Sequence, residues 1–158
     1  MAISFDYLDF FKKVNGQIKK DIGLSVVSES TIDKQNSFPF ITFSVVNPHK
    51  DLGRTNAASV YFDIYVNYTA HSNNELEALT VGDKLRNWFK SADTHYYLGE
   101  ESGIFLVKLT DNMVINNLMS IGYDFRNQFT AVFRVNAPEI NTGMTNIEKV
   151  TPPAEKEI

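Results

Sequence analysis

Three histidines and a scatter of carboxylates are the side chains of this sequence equipped to move protons or hold a cation. Asp63, His71 and Glu75 come nearest to a constellation. A strand-end carboxylate and a histidine at a helix entry could form a general acid–base pair. Against this, a strand end and several loop residues separate Asp63 from His71. Glu75 also has another use, in a helix cap, which leaves His71 as an ordinary residue ahead of that cap. His49, His71 and His95 lie 22 and 24 residues apart, unlike the HxxxH or HExxH spacing of a metal site. Glu100, Glu101 and Asp111 offer oxygen ligands without the DxDxDG spacing that wraps calcium, and read as a solvated loop. With no cysteine there is no thiol nucleophile, disulfide framework or iron–sulfur site. The glycine-dependent GxSxG, GxGxxG and Walker motifs are missing as well. No catalytic residue, metal ligand or cofactor site is assigned, and the sequence reads as that of a protein other than an enzyme.

The elements that would position such groups follow from periodicity. Phe5, Leu8, Phe11, Val14, Ile18 and Ile22 form one face of a helix capped by Ser4 and stopped by Gly23, with Lys12, Lys13, Lys19 and Lys20 as its solvated face. A short strand at 24–28 and a polar loop follow. Ile41, Phe43 and Val45 then alternate with Thr42, Ser44 and Val46 in a strand bracketed by Pro39 and Pro48. The run from Asn47 to Asn56 carries His49, Lys50, Asp51 and Arg54 and reads as an exposed loop. Val60, Phe62, Ile64, Val66 and Tyr68 alternate with Tyr61, Asp63, Tyr65 and Asn67 in a long strand. Tyr61 and Tyr65 either pack on a neighbouring subunit or cover the sheet edge.

Ser72 to Glu75 fits a capping box, so a helix starts there. Ala78, Val81, Leu85, Trp88 and Phe89 form its buried stripe, broadened by Leu76 and Leu79. Residues 91–103 read as a polar loop, 104–109 and 114–123 as strands around a turn at 110–112, and Phe129 to Val135 as the last strand, ended by Pro138. Arg134 lies on that strand, and Arg126 beside it reads as an edge or interface charge. The order predicts an α+β fold: a mostly antiparallel sheet with two main helices packed against it.

At 158 residues the chain is long enough for one independent core. The expected division is a single α+β domain over 1–138 and a flexible tail over 139–158, whose Thr-Pro-Pro and Glu-Lys-Glu runs bury little surface. A net charge of −4 disfavours a general nucleic-acid binder. The start of the chain lacks the basic and apolar regions of a secretory leader, and no run approaches a membrane span, so synthesis and assembly in a cytoplasm are expected.

Two segments carry a resemblance. One is Phe38-Pro-Phe-Ile-Thr-Phe-Ser-Val-Val, followed after a polar loop by Ala-Ser-Val-Tyr-Phe-Asp-Ile-Tyr-Val-Asn-Tyr and a helix with Ala78, Leu85, Arg86 and Phe89. The other is Ser120-Ile-Gly-Tyr-Asp-Phe-Arg126 running into Phe129-Thr-Ala-Val-Phe-Arg-Val. Together they resemble the tail terminator (neck or tail-completion) proteins of tailed bacteriophages over about residues 5–138. The resemblance implies a virion protein, assembled in the host cytoplasm, that closes into a homohexameric ring on the head-proximal end of the tail tube. Such a ring stops tube polymerisation and joins the tail to the head. Its partners would be copies of itself, the tail tube protein and a head-completion or connector protein, with no membrane and no sequence-specific nucleic acid. His49, Lys50, Asp51, Arg54, Tyr61, Tyr65, Arg126 and Arg134 are the candidate assembly-interface residues. The alternatives are another phage structural protein, such as a tail tube or head-completion subunit, or a small-ligand-binding α+β module.

Overall fold

A computed structural model describes residues 4–31, 37–52, 61–119 and 122–138. Its elements are α1 (Tyr7–Ile22), β1 (Val26–Ser28), a 3-10 turn (Glu29–Thr31), β2 (Phe40–Asp51), β3 (Tyr61–Ser72), α2 (Glu75–Lys90), α3 (Ala92–Tyr96), a π turn (Tyr97–Glu101), β4 (Phe105–Leu109), β5 (Met113–Met119) and β6 (Gly122–Asn136). The strands form one six-stranded sheet in the order β1-β2-β3-β6-β4, with β5 also paired to β6. Among the described strands only β1 and β2 run parallel. The fold is α+β, with the helices packed on one face of this sheet.

Period-two alternation places Phe62, Ile64, Val66 and Tyr68 of β3, with Phe129, Ala131, Phe133 and Val135 of β6, on the helix-covered face, where all eight are buried. Phe10, Val14 and Ile18 of α1 meet them from above. So do Ala78, Val81, Leu85, Trp88 and Phe89 of α2. Phe10 and Phe89 both pack edge-on or tilted against Phe133, at 5.3 and 5.7 Å, which fixes both helices over the same strand. Two polar bonds tie this layer together: Trp88 Nε1 donates to Asp21 at 2.8 Å, and the Tyr68 hydroxyl to Asn15 at 3.0 Å. Burial pushes the Tyr68 phenol far above its ordinary pKa, so it stays a donor.

Several expectations are corrected. α1 is capped by Asp6, whose carboxylate accepts from the Asp9 amide, rather than by Ser4; its stripe turns on Phe10, and Leu8 is exposed. Gly23 ends the helix as expected, with φ of +86°. The cap of α2 sits two residues later than Ser72, because Asn74 accepts from the Glu77 amide while Ser72 donates to the Glu77 carboxylate. Leu76 is exposed and Leu79 partly so, since they lie on the outer side of α2. The 91–103 loop contains α3 and the π turn, anchored by buried Thr94 and Leu98. β2 continues through Asn47 to Asp51, where bulges on either side of Asn47 absorb Pro48. Finally, Tyr123 to Gln128 belongs to the 15-residue β6, and β5 ends at Met119.

Candidate assembly surface

The sheet face opposite the helices is built from the alternate residues of β2, β3 and β6. Its polar side chains pair with one another across the strands. At one end, the register sets Lys50 opposite Asp63, and Asp63 opposite Arg134. Asp63 is buried, and Arg134 grips it with a two-pronged bond, Nε at 2.9 Å and Nη2 at 3.2 Å. That bond raises the guanidinium pKa, so Arg134 stays charged. Lys50 donates to the Tyr65 hydroxyl at 3.2 Å and lies 5.4 Å from that ring's centre. On the helix-covered side of the same strand end, His49 stacks on Phe62 at 3.9 Å and donates from Nε2 to Asp51 at 2.8 Å. Tyr61 is 44% exposed beside them.

Six of the eight residues singled out from the sequence (His49, Lys50, Asp51, Tyr61, Tyr65 and Arg134) are therefore gathered at the outer end of the β2–β3 pair. Arg54 lies outside the described residues. Arg126 belongs to the opposite end of β6 and to an interior strand rather than an edge. There it bonds Asp124 at 2.8 Å and approaches Glu29 at 4.0 Å.

The proposed Asp63–His71–Glu75 constellation does not form. Asp63 and His71 are eight positions apart on one strand, about 26 Å at strand rise, and Glu75 lies exposed in the first turn of α2. His71 is instead joined to Thr42 and Asp124. The Thr42 hydroxyl donates to Nε2 at 2.8 Å, Nδ1 donates to the Asp124 carboxylate at 3.1 and 3.2 Å, and the Phe40 ring stacks on the imidazole at 4.6 Å. The order hydroxyl–imidazole–carboxylate has the sequence of roles of a nucleophile, base and orienting group. Thr42 is only 1% exposed, however, and no substrate could reach it. The chain of bonds works as a polar clasp across β2, β3 and β6. Burial lowers the His71 pKa, against the pull of Asp124, so the ring is held neutral.

Thr42 and Asp124 were not signalled as partners by spacing, because the strand register alone brings them to His71. Among the described residues, no three His, Cys, Asp or Glu side chains converge as a metal site. No helix among them is long and apolar enough to cross a membrane.

What this arrangement presents outward is a set of charged and aromatic side chains at one end of the β2–β3 pair. A family model described as phage neck terminator protein matches residues 9–157, and the chain belongs to that family. Membership gives it a structural role in the phage virion, at the tail and neck, in contact with tail and head components. No curated protein matches the sequence.

Proposed function

We propose that the protein is a ring-forming tail terminator. Copies of the subunit close on themselves, six to a ring, on the head-proximal end of the tail tube. The ring stops tube polymerisation and offers its other face to the head-completion or connector protein. The observation that carries this reading is the placement of the β2–β3 and β5–β6 connections at opposite ends of one sheet.

The β2–β3 connection lies at the end where Tyr61 pairs with Asn136, and the β5–β6 connection lies at the end where Met119 pairs with Gly122. Fifteen residues of β6 join the two ends, about 50 Å at strand rise. A subunit with unlike ends and two lateral sheet edges suits a heterologous contact closed by rotation, which makes a ring whose faces differ. His49, Lys50, Asp51, Arg54, Tyr61, Tyr65 and Arg134 then serve the face at the β2–β3 end, and Arg126 the opposite one. Lateral contacts fall to the edges.

Size-exclusion chromatography with light scattering, run with and without purified tail tubes, tests the reading, with electron microscopy of the same samples. Isolated rings, or rings seated on tube ends, are expected. Long cylinders would identify a tube subunit instead, and a species that stays monomeric with tubes present would overturn the proposal.

A further inference from the structure

β4 closes one edge of the sheet, and no other described strand pairs with its outer side. Beside it runs a groove of 370 Å3 lined by Arg86, Lys90, His95 and Lys108 over Val107 and Leu109. Among the described residues its charge is uncompensated. Lys13, Arg126 and Arg134 each hold a carboxylate, whereas among the described residues none lies within ion-pairing distance of Arg86, Lys90 or Lys108. The Arg86 Nε is used by the Thr110 carbonyl at 3.2 Å, and His95 donates to the Phe89 carbonyl at 2.8 Å. Val107 remains 47% exposed in the middle of the strand. A lysine and a bulge on an edge strand turn away arbitrary strands. A segment that brings carboxylates is not turned away.

We propose that this groove receives the C-terminal segment, residues 139–158, of a neighbouring copy in the ring; the inference rests on the terminator reading above. The segment carries Glu139, Glu148, Glu155 and Glu157 against Lys149 and Lys156, with Ile140, Ile147 and Val150 to meet the apolar floor. The family match runs on through residue 157, so the segment is part of what the family shares. Its 20 residues can extend to about 66 Å, well past a fold whose radius of gyration is about 14 Å. The direction of the chain selects the neighbour. β6 ends beside the Ser102–Ile104 turn that leads into β4, so a return within the same subunit would have to pass over that turn and run parallel to β4. A neighbour's segment can approach antiparallel, the better-bonded arrangement.

Charge exchange in the full chain tests this, with circular dichroism confirming that each variant is folded. Lys90→Glu/Lys108→Glu should lower the assembled fraction by tenfold or more, and Glu148→Lys/Glu155→Lys/Glu157→Lys should do the same. Assembly should return in a chain carrying all five changes and in an equimolar mixture of the two variants. Groove reversal with wild-type assembly overturns the proposal, as does failure of the mixture to recover. Recovery in the five-change chain alone would assign the segment to its own groove, which also overturns it. These outcomes are separate from failure of the ring reading, which a wild-type chain that never assembles on tubes would show.

Discussion

The fold opposes the protonation of His71 by enclosing it. Its pKa is lowered in the folded protein from the ordinary 6.5, chiefly by burial. The unfolded chain therefore binds more protons between the folded value and 6.5, and folding stability rises with pH across that interval. Read downward, stability is complete above 6.5 and is lost as the pH falls below it. Urea denaturation at pH 7.5 and 5.5 should show the loss, and His71→Gln should flatten the slope while weakening the clasp at both pH values. A slope unchanged by the substitution would mean that another group governs it. Residue identity alone could not disclose this arrangement. Asp63 and His71 are near in sequence and end far apart on one strand, whereas Asp124, 53 positions away, is the true partner. Cross-strand register, a long-range property, decides between them.

Packing of α2 against β6 turns on a single glycine. A Cβ at Gly82 would collide with the Asn127 side chain, which is buried, donates to the Leu79 carbonyl at 3.3 Å and accepts from Asn112 at 3.0 Å. Gly82→Ala gains about 1 kcal/mol of helix propensity, but overpacking and the loss of the Asn127 bonds oppose it with about 1–3 kcal/mol each. A net destabilisation of roughly 1–5 kcal/mol is expected in chemical denaturation; the same change at Gly16, where nothing lies within 4 Å, should be neutral or stabilising. Elements with one apolar face were readable directly. β3, the second half of β6 and α2 follow their hydrophobic periods closely. Misreadings came where polar side chains satisfy one another inside the sheet. Asp124, Arg126 and Gln128 break the hydrophobic period in the first half of β6, so the last strand reads as starting only at Phe129, and Pro48 gives the end of β2 the look of a loop, although its carbonyl accepts from Tyr7 at 2.9 Å.

For the whole molecule, the proposed ring separates two kinds of damage. Substitutions at the β2–β3 end that spare the core should leave subunits folded and self-associating while weakening attachment on one face. Lys50→Glu/Tyr61→Ala is the direct case, since both side chains are exposed and neither belongs to the core. Thermal melting should be nearly unchanged, and ring occupancy on tube ends, or head joining, should fall about tenfold in micrographs of reconstituted particles. Equal loss of ring formation would place this end at a lateral contact instead. β6 gives the ring one further property. It is bonded to β3 along one side and to β4 and β5 in tandem along the other, from near one end of the subunit to the other. Ladder bonds in antiparallel strands lie across the strand direction. A pull between tail and head, directed along this strand, would strain all of them together in shear instead of peeling them apart singly. In the proposed ring, with the two ends of β6 turned to tube and head, the subunit would be strongest mechanically along the axis on which such a joint is stretched.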